Sequence, residues 1–215
     1  MDIQGIYNNF KQNACIQEEQ EAPFFKKATD EELKNLTSIY DICLAESPAW
    51  EEKDLSLLKE IVIPSKLINF YQALNPYNLP GNDSGIYLAN LQKMKDEYIS
   101  LTPGCYLIKW GFLVIGTTIG GHPILLDLNE ESLPVYFMDH SVLMGDGYRG
   151  NIDLSFSFPP DALKAEFGDK PIPVTYDTIK KCLISIEKQF DIFIEKMSCN
   201  QYPEIEEMLE DMGLI

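Results

Sequence analysis

The spacing of hydrophobic residues predicts helices in the first hundred residues of the chain. In TDEELKNLTSIYDICLAES, residues 29–47, Thr29 and Glu32 form a capping box ahead of apolar residues at helical spacing. Three further segments have the same character: EEKDLSLLKEIV, IPSKLINFYQALNP and NLQKMKDEYISL. The opening through about Gln20 is polar, and we predict an irregular segment there.

Hydrophobic runs become shorter from Cys105 onward. CYLIKW, FLVIG, PILLDL and VYFMDH are rich in β-branched and aromatic residues, and Gly, Pro, Asn or Ser stand between them, which is typical of strands. The connections are too short for crossover helices, so neighbouring strands should be antiparallel. LMGDGYRGN is a turn-rich loop, and IDLSFSF is either a final strand or the start of the next helix. We therefore predict an antiparallel meander over about residues 104–157.

The last part of the chain returns to helical spacing. One long amphipathic helix is predicted by Leu183, Ile186, Phe190, Phe193 and Met197. PEIEEMLEDMGLI predicts a short acidic helix or tail. The order helices, meander, helices predicts an α+β fold in which helices from both flanks cover the sheet.

Three glycines, a histidine and an aspartate lie close together in VIGTTIGGHPILLDL, residues 114–128. A P-loop needs a lysine that this segment lacks, and a dinucleotide-binding loop needs a helix after its glycines. Here Pro123 and another apolar run follow the glycines. Because glycine adopts the positive φ that tight turns require, Gly120-Gly121 predicts a β-hairpin turn that holds no ligand.

Four residues near the strand ends could converge on a metal ion if adjacent strands pair: His122, Asp127, Asp139 and His140. Zinc sites need three or four such ligands. The sequence favours the alternative, in which these residues make turn hydrogen bonds at strand ends. We therefore expect no metal and no cofactor.

A catalytic nucleophile is equally hard to find. The sequence contains no G-x-S-x-G motif. Cys105 could pair with His122 or His140, but its apolar run favours a buried, inert thiol. We expect a protein that is not an enzyme. A hydrolase that uses Asp127, Asp139 and His140 is the alternative from another class.

Charge limits the class of partner. Thirty-four acidic residues stand against 17 basic ones, which gives a net charge of −17, and Arg149 is the single arginine. A nucleic-acid binder needs a positive field to displace counterions from phosphates, so we expect no nucleic-acid partner. Two interpretations of the acidity remain open. It promotes solubility, or it attracts a basic protein partner.

Cysteines and hydropathy indicate the compartment. The five cysteines are scattered and form no C-x-x-C motif, which favours free thiols in a reducing environment. No run approaches the roughly 18 to 20 apolar residues of a membrane span, and the start of the sequence does not resemble a secretory signal. We expect a cytoplasmic protein that does not bind membranes.

Three segments share a pattern with a known family. The first is IPSKLINFYQALNP, a helix that starts Ile-Pro, and the second is WGFLVIGTTIGGHPILLDL, a strand, a glycine-rich turn and a second strand. The third is IDLSFSF with LISIEKQFDIFIEKM, in which FDIFIEKM is a closing helix. In these segments the chain resembles the SUKH superfamily of fungal Smi/Knr cell-wall regulators and bacterial immunity proteins. It has Asn75-Pro76 where the family usually has Asn-Gly, and Gly121-His122 where the family often has Gly-Asp.

The resemblance implies a single SUKH-like domain over residues 1–215. Its core would span about residues 55–197, with a helical N-terminal extension at 1–54 and an acidic tail or helix at 198–215. It also implies a non-enzymatic immunity protein that neutralises a cognate polymorphic toxin, often a nuclease, by direct binding. The alternative is a general regulatory scaffold of the Smi/Knr type.

Acidic residues near the loops of the sheet are the candidate binding residues for a basic toxin domain. Asp127, Glu130 and Glu131 lie in LDLNEES, where PILLDL ends in a turn, and we rank this 127–131 turn first. Antiparallel pairing would place Asp139 toward the other end of the sheet, and Asp146 follows in the next loop. Such acids would mainly speed the encounter with the partner.

Overall fold

The computed structural model describes residues 1–13, 24–46, 52–77, 79, 83–146, 153–211 and 213. Across these residues the helices are α1 (Ile3–Asn13), α2 (Asp30–Thr37), α3 (Ile39–Glu46), α4 (Glu52–Lys59), α5 (Ser65–Ala73), α6 (Leu91–Ile99), α7 (Gly104–Leu107), a 3₁₀ helix (Ile108–Trp110), α8 (Asp161–Phe167), α9 (Tyr176–Lys180), α10 (Phe190–Ser198) and α11 (Ile205–Asp211). The strands are β1 (Phe25–Lys26), β2 (Asn75–Pro76), β3 (Tyr87–Leu88), β4 (Phe112–Thr117), β5 (Pro123–Asp127), β6 (Val135–Phe137), β7 (Leu143–Asp146), β8 (Asp153–Phe156) and β9 (Ile184–Glu187). None of the helices in these ranges is both long enough and apolar enough to cross a lipid bilayer.

A five-stranded antiparallel sheet in the order β3-β4-β5-β6-β9 lies at the centre of the fold. Helices flank this sheet, so the predicted α+β class is confirmed. The meander is also confirmed for β4, β5 and β6, which are neighbours in both sequence and sheet. The two edge strands, β3 and β9, come from outside the range 104–157. Strands β7 and β8 pair with each other in a separate two-stranded sheet, as do β1 and β2.

Both faces of the central sheet are buried. Alternate residues of a strand point to opposite faces. Leu113, Ile124 and Phe137 belong to the larger core, which α1, α5, α6, α10 and α11 share. Val114 and Leu125 belong to a smaller core on the other face, with residues of α8 and α9. The sheet is therefore the middle layer between two sets of helices.

The helices predicted before residue 100 are confirmed as α2 to α6. Both halves of the capping box are formed, since Thr29 Oγ1 accepts a hydrogen bond from the Glu32 amide at 3.2 Å and Glu32 Oε2 accepts one from the Thr29 amide at 2.8 Å. The helical segment is divided at Ser38, where α2 ends. Ser47-Pro48, which the sequence predicts to end this helical segment because proline disfavours helical conformation in the residue before it, lies outside the described residues.

The predicted irregular opening is wrong for residues 3–13, which form α1. Ile6 and Phe10, one turn apart on this helix, are 4% and 5% exposed and join the larger core. Ile3, Ile6, Tyr7 and Phe10 follow the i, i+3, i+4, i+7 spacing of an amphipathic helix, so the sequence did contain the signal that the prediction missed. Ile205 and Leu209 of α11 join the same core. The larger core therefore includes residues that precede and residues that follow the range 55–197, which was the expected extent of the core.

The segment CYLIKW is a short helix and a 3₁₀ turn, so its prediction as a strand is wrong. The amides of Tyr106 and Leu107 donate to Pro103 O at 2.9 and 3.1 Å. Leu107 lies in the smaller core and Ile108 in the larger one. A short apolar run can therefore bury adjacent side chains in different directions without being a strand.

The long helix predicted from Leu183 to Met197 is also wrong. Residues 184–187 form β9, which pairs with β6, and the helix α10 begins only at Phe190. Pairing with the exposed edge of β6 satisfies the backbone groups of this short segment, so tertiary context decides its structure. Similarly, the first four residues of LMGDGYRGN form β7 rather than a loop, and residues 147–151 lie outside the described part of the chain.

Candidate functional site

The Gly120-Gly121 segment forms the turn between β4 and β5, as predicted. The Thr118 amide donates to His122 O at 2.9 Å, and the Gly121 amide donates to Thr118 O at 3.1 Å. Gly121 has φ +84°, and a Cβ placed there would meet nothing within 4 Å. The need for glycine at this position is therefore a matter of backbone conformation, since the space around it is open.

The acidic helix α11 holds the tip of this hairpin. The Gly120 amide donates to Glu206 Oε1 at 2.8 Å. Ile119 at the tip is 64% exposed. Glu204 and the Ile119 side chain both lie close to Gly85, which precedes β3. The hairpin tip and the start of α11 thus form one continuous surface.

Pairing of β5 with β6 brings three candidate ligands together at the same end of the sheet. His122 lies just before β5, and Asp139 and His140 follow β6. The Nδ1 atoms of the two imidazoles are 3.1 Å apart, and the His140 amide donates to His122 Nδ1 at 3.3 Å. His122 Nδ1 is 3.6 Å from Asp139 Oδ1. The convergence that the sequence allowed but did not favour is therefore observed for three of the four residues.

The side chains of this cluster are held in place by their neighbours. Asp139 Oδ1 accepts hydrogen bonds from the amide and the hydroxyl of Ser141, both at 2.8 Å. Partial burial works to raise the pKa of Asp139, but the Ser141 hydrogen bonds and the two imidazoles outweigh it, so the pKa lies below its usual value. The His122 ring packs on Phe137 with a centroid distance of 5.2 Å. The cluster is polar and only partly open to solvent.

Asp127 does not belong to this cluster, because it lies at the opposite end of β5. The register pairs Asp127 with Phe112 and Pro123 with Thr117. A hydrolase that combines Asp127 with Asp139 and His140 is therefore not formed by this structure. The expected separation of the 127–131 turn from Asp139 is observed.

The carboxylate of Asp127 is buried in a hydrogen-bonded network. Its Oδ2 accepts from Tyr176 Oη at 2.7 Å and from Lys180 Nζ at 2.9 Å, and its Oδ1 accepts from the amide and Nδ2 of Asn129, both at 3.0 Å. Burial raises the pKa of Tyr176 to about 12, so the phenol stays protonated and donates. Asp127 is 0% exposed, so it cannot serve as an accessible binding acid.

The other candidate acids differ in their accessibility. Lys180 also donates to Glu130, whose side chain is 43% exposed, so the charge of Glu130 is already paired. Glu131 is exposed and Asp139 is half-buried in the histidine cluster. Asp146 ends β7, and its side chain lies outside what the structure describes. Of Asp127, Glu130 and Glu131, the three candidate acids of the 127–131 turn, Glu131 is therefore the one whose carboxylate stays accessible to a partner.

Two residues that dominate these sites were not identified from the sequence. Lys180 and Glu206 come from helices remote in the chain, 53 and 86 residues from their partners Asp127 and Gly120. No local pattern marks them. Cys105 is partly rather than fully buried, but burial still raises its pKa to about 12, which disfavours the reactive thiolate.

Comparison of the chain with protein-family models, with curated proteins and with solved structures found no match.

Proposed function

We propose that this protein is a non-enzymatic cytoplasmic binding protein that covers a basic surface of another protein, as a SUKH-type immunity protein covers its toxin. The observation that carries the proposal is the acidic helix α11 fixed against an exposed apolar hairpin tip. Four of its seven residues are acidic and none is basic. The partner chemistry follows from the net charge of −17, since opposite fields accelerate association.

The structure shifts our choice of binding acids from the 127–131 turn to the C-terminal helix. Asp127 is buried and Glu130 is paired with Lys180. Glu207 and Glu210, in contrast, are exposed on one face of α11. The hydrogen bond from Gly120 to Glu206 fixes this helix at the tip, where Ile119 is exposed.

An apolar side chain inside an acidic rim is a common arrangement for protein recognition. Binding energy concentrates on a few central side chains, and surrounding charges mainly set the rate and specificity of the encounter. Ile119 would supply the anchor, and the carboxylates of α11 would supply the rim. A nuclease toxin would offer the matching chemistry, because the surface on which it holds phosphate is basic.

The test begins with the full-length tagged chain, used to capture its partner from the cells that produce it, with identification by mass spectrometry. Association rates of the purified pair are then measured at about 0.01 M and about 0.15 M ionic strength, where charges act over about 30 Å and about 8 Å. The variant Glu207→Lys/Glu210→Lys should associate about tenfold more slowly at low salt and much less so at high salt. Ile119→Ser should speed dissociation.

The matched control is Asp41→Lys/Glu60→Lys, which changes the net charge equally at exposed positions on α3 and just after α4. If binding uses the α11 surface, this control should slow association far less than the α11 variant. Equal slowing by both variants would show that only the overall charge matters. A captured partner without a basic surface would contradict the proposal itself.

A further inference from the structure

Three side chains with metal-binding atoms meet at the end of the sheet that carries the hairpin turn. The Nδ1 atoms of His122 and His140 are 3.1 Å apart, and His122 Nδ1 is 3.6 Å from Asp139 Oδ1. One ligand atom from each residue lies within 4.8 Å of the other two. We propose that His122, Asp139 and His140 bind a divalent first-row transition-metal ion of the zinc type.

The spacing of the ligand atoms matches such an ion. Imidazole nitrogens stand at about 2.0–2.1 Å from zinc, so neighbouring ligands of a tetrahedral ion are about 3.3 Å apart. The two distances measured from His122 Nδ1, 3.1 and 3.6 Å, lie on either side of that value. His140 is exposed, so its ring can rotate to close the remaining separation.

The ligand types select a transition metal over the common hard cations. Imidazole nitrogen suits zinc, cobalt, nickel and copper, whereas Mg²⁺ and Ca²⁺ prefer sites made of oxygen ligands. Two imidazoles and one carboxylate also leave a coordination position for water or for a bound molecule. The net charge of −17 raises the concentration of every cation near the protein. A specific site is therefore distinguished from this general attraction by its selectivity for Zn²⁺ over Mg²⁺.

Local structure aims the ligands at a common point. His122 Nδ1 faces the cluster, as its contact with the His140 amide at 3.3 Å shows. Ser141 fixes the Asp139 carboxylate through two hydrogen bonds, and outer partners of this kind orient metal ligands. The strands β5 and β6, which pair from Ile124 to Leu126, hold the three residues on a rigid frame.

The competing arrangement is a pair of hydrogen-bonded histidines without a metal. In that state His122 Nδ1 accepts from the His140 amide, and a second hydrogen bond joins the two Nδ1 atoms, with its donor set by the tautomers of the rings. A bound ion takes the lone pair of His122 Nδ1 and so displaces both hydrogen bonds. The two states therefore differ at both imidazole rings and at the His140 amide, which gives the experiment its readout.

The experiment titrates the ¹⁵N-labelled full-length chain with ZnCl₂ and follows the imidazole and His140 amide signals by NMR. The chain has only two histidines, so both ring signals are assigned to the cluster. We expect both rings and the His140 amide to shift together and saturate at one equivalent of Zn²⁺. The five cysteines can also bind Zn²⁺, but such binding would leave the imidazole signals unchanged.

Variants separate the cluster from the general acidity of the surface. His140→Asn removes an exposed ligand and should weaken Zn²⁺ binding at least as much as the loss of an outer partner of a ligand, which costs about 10–100-fold; Asp139→Asn should do the same. The control Asp161→Asn removes a carboxylate that is 97% exposed, outside the cluster, and should leave binding unchanged. In His140→Asn the remaining His122 ring still reports on any residual binding.

Three results would overturn the proposal. The first is the absence of any imidazole shift with Zn²⁺ up to about 1 mM, far above the concentrations at which structural zinc sites fill. The second is an equal response to MgCl₂, which would indicate unselective attraction by the acidic surface. The third is an unchanged Zn²⁺ affinity in both His140→Asn and Asp139→Asn.

Discussion

The carboxylate of Asp127 and the ammonium of Lys180 form an ion pair of 2.9 Å that joins the end of β5 to the end of α9. The Asp127 side chain is 0% exposed, whereas that of Lys180 is 28% exposed. Burial works to lower the pKa of Lys180, but its hydrogen bonds to Glu130, Tyr176 and Asp127 outweigh it, so the pKa lies above its usual value. The charged form of Lys180 is therefore part of the folded structure.

Removal of this lysine should destabilise the fold strongly. In Lys180→Met the buried Asp127 carboxylate loses its counter-charge, and the loss of one partner of such a pair costs about 3–5 kcal/mol. The free energy of unfolding in urea measures the effect. The control Lys181→Met breaks a surface ion pair, in which the side chains of Lys181 and Glu166 are 45% and 48% exposed. It should lower the free energy of unfolding by less than about 1 kcal/mol. Similar losses in the two variants would contradict a structural role for the Asp127–Lys180 pair.

A second prediction concerns Glu97 on α6, which is 7% exposed. Burial, and to a smaller degree Asp96, raises the pKa of Glu97, while Lys93 acts in the opposite direction. A carboxyl whose folded pKa is raised stabilises the fold below its unfolded pKa, and this contribution is lost as the pH rises through the folded pKa. Glu97→Gln should therefore be more stable than the wild type at pH 7, and the difference should shrink in acid. Urea unfolding between about pH 4 and pH 8 checks this, and a variant that is less stable at pH 7 would refute it.

Glu187 on β9 should behave in the opposite way. Partial burial works to raise its pKa, but Lys196, with Nζ at 2.6 Å, and the Lys188 amide outweigh it, so the pKa lies below its usual value. Its contribution is present above the unfolded pKa and is lost as the pH falls through the folded pKa. Glu187→Gln should cost about 1–2 kcal/mol of unfolding free energy at pH 7 and progressively less in acid. A loss that stays constant from neutral pH to acid would mean that the carboxylate charge is unimportant.

The parts of the fold that were predictable from sequence are those set by neighbouring residues. The capping box of Thr29 and the turn at Gly120-Gly121 depend on local chemistry, and both formed as predicted. The segment ISIE in β9 carries an alternation of apolar and polar residues, but Ile186 also fits a helical period with Phe190 and Phe193. Pairing with the free edge of β6 selects the strand over the helix. Because β6 is distant in the sequence, a short stretch around residues 184–187 carries no sign of that pairing.

The candidate site residues also divide into those that the local sequence could identify and those that depend on distant parts of the chain. His122, Asp139 and His140 could be grouped in advance because antiparallel pairing of two successive strands brings their ends together. The burial of Asp127 could not be anticipated, because it depends on Tyr176 and Lys180, which approach from a helix about fifty residues later in the chain. An acid after a strand looks the same in sequence whether it faces solvent or a lysine.

The turn at Gly121 allows a test in which backbone conformation is separated from packing. Gly121 has φ +84°, and a side chain there would meet no atom within 4 Å, so any cost of substitution comes from the backbone. Left-handed conformation costs an ordinary residue about 1–2 kcal/mol, more when the side chain is β-branched, whereas asparagine tolerates it. Gly121→Val should therefore lower the free energy of unfolding by about 2 kcal/mol, and Gly121→Asn by less than about 1 kcal/mol. Thermal and urea unfolding of the two variants give the comparison. Equal losses for valine and asparagine would show that the positive φ of this residue is not what the hairpin requires of it.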